Sequence, residues 1–136
     1  MILVDTNVLV ALTDAREELF HRANADLLRL GREEFFTIGA VLTEVHWLLK
    51  DAYRRERAVL TMRRLNVHAV ADDSDALWQN VFTWLQRYAE HEPDWTDAVL
   101  VGLCAQESRY RVWSYDKEFV TVWRKPDGGM IPMAVY

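Results

Sequence analysis

Short apolar runs alternate with longer amphipathic segments along the chain. Four runs predict buried strands, and they lie at residues 2–4, 35–38, 67–70 and 111–114. Apolar residues recur at helical spacing between them, which predicts a helical turn and five helices at residues 8–12, 17–30, 40–52, 54–65, 77–88 and 93–108. This alternation predicts an α/β fold, in which helices cover both faces of a mainly parallel sheet.

The same pattern indicates how many strands and how many domains the chain forms. A last apolar segment at residues 130–135 can add an edge strand, which gives a sheet of four to five strands. The 136 residues contain no internal repeat, low-complexity tract or linker rich in proline, glycine or serine. We therefore predict that residues 1–136 form a single domain, arranged as a three-layer α/β/α sandwich.

Four acidic residues occupy positions that point to one crevice. Asp5 directly follows the first predicted strand, and Asp116 lies just past the fourth. In open parallel sheets, ligands bind beyond the carboxyl ends of the strands, so both carboxylates are expected there. Glu44 flanks an apolar helix stripe, and Asp97 lies on the inner face of a helix that is apolar nearly all round. A carboxylate on an inner face needs a partner.

Each acid also has a purely structural explanation. Asp5 can cap the following helical turn, Asp94 and Asp97 can begin a helix, and Asp116 can belong to a turn. Four acids at one sheet edge nevertheless repel one another unless a cation is present. Their co-occurrence therefore favours a site for Mg²⁺ or Mn²⁺, which take oxygen ligands and support phosphodiester cleavage with one or two metals.

Composition changes this picture little. The net charge of −5 argues mildly against nucleic-acid binding, but bound cations reverse the local sign. The single cysteine, Cys104, excludes a disulfide framework and suits a reducing compartment. The sequence shows neither a signal-peptide pattern nor an apolar run of the roughly 20 residues that a membrane span requires. These features predict a cytoplasmic protein with no membrane segment.

The acids lie within recognisable motifs. "LVDTN" at the N-terminus, "TEV" around Glu44, "DWTDAVL" and "WSYDKEF" resemble, in that order and across almost the whole chain, the four acidic motifs of the PIN-domain ribonucleases. The length and layout are similar to those of VapC toxins from toxin–antitoxin pairs. The resemblance implies a PIN-like fold in which Asp5, Glu44, Asp97 and Asp116 hold Mg²⁺ or Mn²⁺ and catalyse RNA hydrolysis.

Further expectations follow from the same resemblance. Asn7 and Ser114 occupy positions where the family often has a polar residue that orients the site. Asp94 is assigned chiefly to capping, and contact with metal or water is left open. The resemblance also implies 5′-phosphate and 3′-hydroxyl products, a homodimer, and a cognate antitoxin that inserts a segment beside the active site, near residues 48–65.

Two questions stay open at this point. Basic residues at 54–64 and 109–125, the latter beside Trp113 and Trp123, can contact RNA or belong to a solvated face. Two other functions also compete with the nuclease. A haloacid-dehalogenase-like phosphatase shares an aspartate after the first strand, but it needs a second acid where this chain has Asn7. A non-catalytic PIN-like interaction module would keep the fold and bind only a partner.

Overall fold

The sheet has four parallel strands. The structure, a computed structural model, describes residues 1–135, and its strands are β1 (Ile2–Val4), β2 (Phe35–Thr37), β3 (His68–Ala69) and β4 (Arg111–Trp113). They lie in the order β3-β2-β1-β4, and Leu3 of β1 pairs with residues of both β2 and β4. The α/β class and the parallel sheet are confirmed, and the four strands agree with the predicted four to five.

Helices connect the strands. Their bounds are α1 (Thr6–Thr13), α2 (Phe20–Leu30), α3 (Gly39–Leu48), α4 (Ala52–Arg64), α5 (Asp75–Arg87), α6 (Trp95–Gln106) and α7 (Glu118–Thr121), with a 3-10 turn at Ala89–His91. Helix α1 packs on α2, α3 and α4, whereas α5 packs on α6. None of the helices within residues 1–135 is long and apolar enough to cross a membrane.

The core forms where the sequence is most apolar. All three residues of β1 are buried, as expected for a central strand of a parallel sheet. Residues Thr96 to Cys104 of α6 are also buried without interruption. Gly102 lets α5 approach closely, because a Cβ atom there would lie 3.1 Å from Leu77 Cδ1. Helix α6 therefore runs through the core and packs closely against α5.

Three elements differ from the sequence predictions. The helix predicted at 40–52 ends at Leu48, and α4 begins anew because the Asp51 side chain accepts the Arg54 N–H at 2.8 Å. The predicted edge segment at 130–135 forms only isolated bridges, between Met133 and Val112 and between Met130 and Arg124. The four-residue helix α7 was not predicted, since it is too short to show a helical period.

Candidate active site

Asp5 lies where β1 passes into α1. Its Oδ1 accepts the Thr6 N–H at 2.7 Å, which caps α1, and its Oδ2 accepts the Ser114 hydroxyl at 2.7 Å. Burial raises the pKa of Asp5 to about 6, against the lowering effect of these two hydrogen bonds, and the charges of Glu44 and Asp94 raise the pKa further. Asp5 is therefore both a helix cap and a carboxylate held in an acidic crevice.

Ser114 links three of the predicted site residues. Beyond its bond to Asp5, its Oγ accepts the Asn7 amide and the Asp116 N–H, each at 3.1 Å. The Asn7 Oδ1 in turn accepts the Tyr115 N–H at 3.1 Å. Because β1 and β4 are neighbours, these contacts join the segments that follow the two strands. They fit the orienting role that the family resemblance implies for Asn7 and Ser114.

Asp94 and Asp97 lie at the start of α6. The Asp94 Oδ1 accepts the Asp97 N–H at 2.8 Å, so Asp94 caps the helix as the sequence suggested. Burial of Asp97, and then the charges of Asp94, Asp5, Asp116 and Glu44 in that order, raise the pKa of Asp97 to about 8. Loss of hydration and the charges of Glu44 and Asp116 also raise the pKa of Asp94.

Glu44 is held by two threonines that the sequence reasoning missed. Thr6 Oγ1 donates to Glu44 Oε2 at 2.6 Å, and Thr96 Oγ1 donates to Glu44 Oε1 at 2.5 Å. Thr6 follows Asp5 at the start of α1, and Thr96 precedes Asp97 at the start of α6. Both threonines are buried. The available signal was a hydroxyl residue directly beside a predicted acid, in "DTN" and in "WTDA".

The four predicted acids and Asp94 thus lie close enough for their charges to affect one another, since Asp94, Asp5, Asp116 and Glu44 all raise the pKa of Asp97. Within residues 1–135, the ion pairs of the fold involve none of these five carboxylates. Their oxygen donors and uncompensated charge suit a hard divalent cation. In the described part of the chain, however, no three His, Cys, Asp or Glu side chains are arranged to hold one ion. The assignment of individual ligands stays a prediction.

Comparison with known proteins identifies the fold and the family. A PIN-domain family model matches residues 2–124, which is most of the chain. This chain belongs to the PIN-domain family. Its structure is similar to the crystal structure of Mycobacterium tuberculosis VapC20, described as a sarcin-ricin loop cleaving toxin, with a TM-score of 0.68 and 24% identity over 87% of this chain and 92% of that chain. No curated protein sequence gives a match.

A buried network fixes the β4 side of this PIN domain. Asp26 of α2 is only 2% exposed and pairs with Arg29. Its Oδ2 accepts the Tyr115 hydroxyl at 2.7 Å, and the Tyr115 oxygen accepts the Trp113 indole N–H at 3.1 Å. Burial and the bond to Asp26 raise the pKa of Tyr115 to about 12, so this phenol stays protonated. The network positions the segment that carries Ser114 and Asp116, and sequence spacing gave no sign of it.

The second basic group lies beside two tryptophans that are buried. Trp113 and Trp123 are 0% and 1% exposed, so neither ring is open to an RNA base. Trp113 belongs to β4, and a strand in a sheet covered on both faces buries both of its sides. Arg111 donates to Glu33 at 2.6 Å, and Arg109 to Glu107 at 3.1 Å. These partners favour a structural or solvated role for both arginines.

Arginines of the first basic group, at residues 54–64, also bind other residues within the fold. Arg54 Nε lies 3.5 Å from Asp14 and 3.3 Å from Asp51 carboxylate oxygens. Arg55 Nε donates to the Leu49 carbonyl at 2.7 Å. These contacts join α4 to the ends of α1 and α3, which favours the structural reading over phosphate binding.

The cap at Asp94 gives a stability prediction. We expect Asp94→Ala to lower the free energy of unfolding by about 1 kcal/mol, because the Asp97 N–H loses its acceptor. Asp94→Asn should retain nearly all of the stability, since asparagine caps as well as aspartate. Urea denaturation of both variants without metal measures the difference. Equal losses in the two variants would show that the cap does not account for the stability that Asp94 contributes.

Proposed function

We propose that this PIN domain is a metal-dependent endoribonuclease of the VapC type, the toxin of a toxin–antitoxin pair, which hydrolyses RNA phosphodiester bonds with carboxylate-bound Mg²⁺ or Mn²⁺. The observation that supports this most strongly is the grouping of four carboxylates, those of Asp5, Glu44, Asp94 and Asp116, around the buried Asp97, whose pKa burial and these charges raise. Such a cluster without basic partners is costly in a fold unless a cation uses it. Family membership supports the nuclease class.

Some residues of the chain would hold the ion, and others orient those ligands. Asp5, Glu44, Asp97 and Asp116 would hold the ion, which supplies electrostatic stabilisation of the phosphoryl oxygens and an activated water. Ser114 fixes the Asp5 carboxylate from the side, and Thr6 and Thr96 fix Glu44. Asn7 holds the backbone at Tyr115, next to Asp116. Cys104 has no part in this scheme, because it is buried and its thiol pKa is raised to about 12.

The competing functions fit the site less well. A haloacid-dehalogenase-like phosphatase needs an acid where Asn7 stands, and the Asn7 side chain is already bonded to Ser114 and to the Tyr115 backbone. A non-catalytic interaction module would not need uncompensated carboxylates in a crevice. Retention of Asp5, Glu44, Asp97 and Asp116 together therefore favours the enzyme.

An RNA cleavage assay tests the proposal. We expect the purified chain to cut single-stranded regions of total RNA in Mg²⁺ or Mn²⁺ and to leave 5′-phosphate ends, as the family resemblance implies. Asp5→Asn serves as the control, since asparagine can still accept the Thr6 N–H and so preserve the α1 cap. Cleavage by Asp5→Asn at the wild-type rate would overturn the proposal.

The hydrogen bonds that Thr6 and Thr96 donate to Glu44 give a second prediction for the same assay. We expect Thr96→Val to lower kcat about 10- to 100-fold, because groups that orient metal ligands typically have effects of this size. Thr96→Ser keeps the hydroxyl that donates to Glu44 Oε1 and should recover most of the activity. Thermal unfolding of both variants checks the fold. Full activity in Thr96→Val would show that Glu44 does not need the hydrogen bond from Thr96.

We further propose a cognate antitoxin, a homodimer and a cytoplasmic location. Large apolar side chains are exposed on α3 and α4, within or next to the region assigned to the antitoxin: Trp47, Leu48, Tyr53, Val59 and Leu60. Exposed apolar patches of this kind mark protein interfaces. The one cysteine, Cys104, is free, which suits a reducing compartment.

Light scattering tests the homodimer independently of activity. The chain has a mass of 16.0 kDa, so a dimer should scatter with about twice that mass. A mass of one chain at micromolar concentrations would contradict the homodimer and leave the nuclease proposal intact.

A further inference from the structure

A cavity lies at the junction of α5 and α6. It has a volume of about 280 Å³ and is lined by residues that follow β2 and β3, by the first turns of α5 and α6, and by the loop that precedes α5. Ile38 and Val70 close its floor, while Trp78 and Trp95 form its aromatic side. Trp95 lies in the first turn of α6, as Asp97 does, so one helix end supplies a residue to the cavity and a residue to the carboxylate cluster.

Two aromatic rings line this cavity, and a third packs against them. Trp78 and Trp95 have ring centroids 5.5 Å apart with planes at 76°, and Phe82 lies 5.9 Å from Trp95. Trp78 and Phe82 are each 41% exposed, which is unusual for such large rings in a chain that buries Trp113 and Trp123. The Trp78 indole N–H donates to Asp73 Oδ1 at 2.5 Å, so the ring is held in place while its face stays accessible.

The shape of the cluster favours a flat ligand. Two indoles at nearly a right angle form a corner, in which a planar ring can stack on one face and meet the edge of the other. Aromatic rings held in this manner bind unpaired bases, and they do so with little dependence on sequence. A helix of a partner protein, about 10–12 Å in diameter, would not fit a cavity of about 280 Å³.

The negative charge of the cavity lining limits which chemical groups of a ligand can bind there. Asp72 and Asp73 line the same cavity, and their carboxylates repel phosphate. A carboxylate instead accepts a hydrogen bond from an exocyclic amino group, as in the contacts between acidic residues and cytosine N4. The Asp72 Oδ1 already accepts the Ser74 N–H at 3.1 Å, which orients this carboxylate.

We propose that the cavity lined by Trp78, Trp95, Asp72 and Asp73 binds one unpaired, amino-bearing base of the RNA, next to the bond that is cut. This inference rests on the proposed nuclease function and adds a substrate preference to it. The stacked base would be adenine, cytosine or guanine, because uracil has no exocyclic amino group. The RNA backbone would then pass from the cavity along the start of α6 to Asp97.

Substitution of Trp78 tests the stacking contact. We expect Trp78→Ala to raise KM for single-stranded RNA about tenfold with little change in kcat, which is the typical effect of losing one stacked base. Trp78→Phe should recover most of the affinity. The slope of log KM against log salt should not change, because stacking neutralises no phosphate. Trp47→Ala is the matched control, since Trp47 is 74% exposed on α3 and lies outside the cavity.

A binding measurement separates this inference from the nuclease proposal. Fluorescence anisotropy of labelled RNA in EDTA follows affinity without cleavage, and Trp78→Ala should weaken it about tenfold. Equal affinities of wild type and Trp78→Ala, with RNA cleavage intact in the wild type, would overturn the cavity assignment alone. Absence of cleavage together with a lower affinity in Trp78→Ala would overturn the nuclease and keep the RNA site.

Homopolymers test the edge contact. Wild type should bind oligo(C) and oligo(A) more tightly than oligo(U) of equal length, and Asp72→Asn should reduce that difference. Asparagine keeps an acceptor for the Ser74 N–H, so the loop should keep its shape. Equal affinities of the wild type for oligo(C) and oligo(U) would overturn the preference for amino-bearing bases.

Discussion

Asp97→Asn is expected to abolish RNA cleavage and to stabilise the metal-free fold above pH 7. We expect the rate to fall by more than about 100-fold, because even residues that merely orient metal ligands account for 10- to 100-fold. The loss should appear in kcat rather than in KM for RNA. A single-turnover assay with excess enzyme measures the rate directly.

The expected gain in stability follows from the pKa of Asp97. In the folded state the pKa is about 8, whereas the ordinary value is 3.8, so between those pH values the folded protein retains a proton that the unfolded chain releases. The free energy of unfolding therefore falls as the pH rises from about 4 to 8. Asparagine carries no charge, so the variant should lack this part of the decline. At pH 8.5 in EDTA we expect its Tm to exceed that of wild type by about 5 °C.

The difference in Tm between wild type and Asp97→Asn should depend on pH, and this dependence supplies the control. At pH 3 the Asp97 carboxyl is neutral in the folded state and largely so in the unfolded chain, and the two proteins should unfold at similar temperatures. Thermal scans across the range distinguish this outcome from a general stabilisation. A variant that is less stable than wild type at pH 8.5 would contradict the placement of Asp97 in an acidic cluster.

The sequence was most informative about the sheet and the acidic motifs. Strand β1 was predicted with its observed bounds, because an apolar run that ends at Asp5 leaves little choice of register or length. At Asp5 the structural and functional explanations proved compatible: one carboxylate oxygen caps α1, and the other accepts the Ser114 hydroxyl. Alternatives treated as exclusive in a sequence can share one side chain, since a carboxylate has two oxygens.

The contacts that complete the site could not be predicted. Thr6 and Thr96 are 90 residues apart in sequence and reach the same carboxylate only because the end of β1 and the start of α6 lie at one edge of the fold. The pair of Trp78 and Trp95 likewise depends on how α5 packs on α6. Helical periodicity assigns apolar residues to a face, but it does not say which residues of two faces meet. Exposed rings at such a junction therefore look like core residues in the sequence.

Divalent metal should restore stability to the wild type and switch on cleavage. Excess EDTA is expected to abolish activity, and Mn²⁺ at 100 times its Kd should add about 2.7 kcal/mol to the free energy of unfolding, or roughly 8 °C in Tm. At one fixed Mn²⁺ concentration, the increment should be larger at pH 8 than at pH 5. The metal competes with protons on Asp97 and Asp5, whose pKa values are about 8 and about 6, so more protons are displaced at the lower pH.

Two variants separate the site from general metal binding. Asp97→Asn should lose most of the Mn²⁺-dependent rise in Tm, whereas Asp51→Asn should keep it. Asp51 caps α4, away from the carboxylate cluster, and asparagine preserves the bond to the Arg54 N–H. Equal increments in the two variants would mean that Mn²⁺ binds elsewhere on an acidic surface. Isothermal titration of Mn²⁺ into both proteins at pH 8 gives the same comparison without unfolding, because a lost ligand lowers the affinity itself.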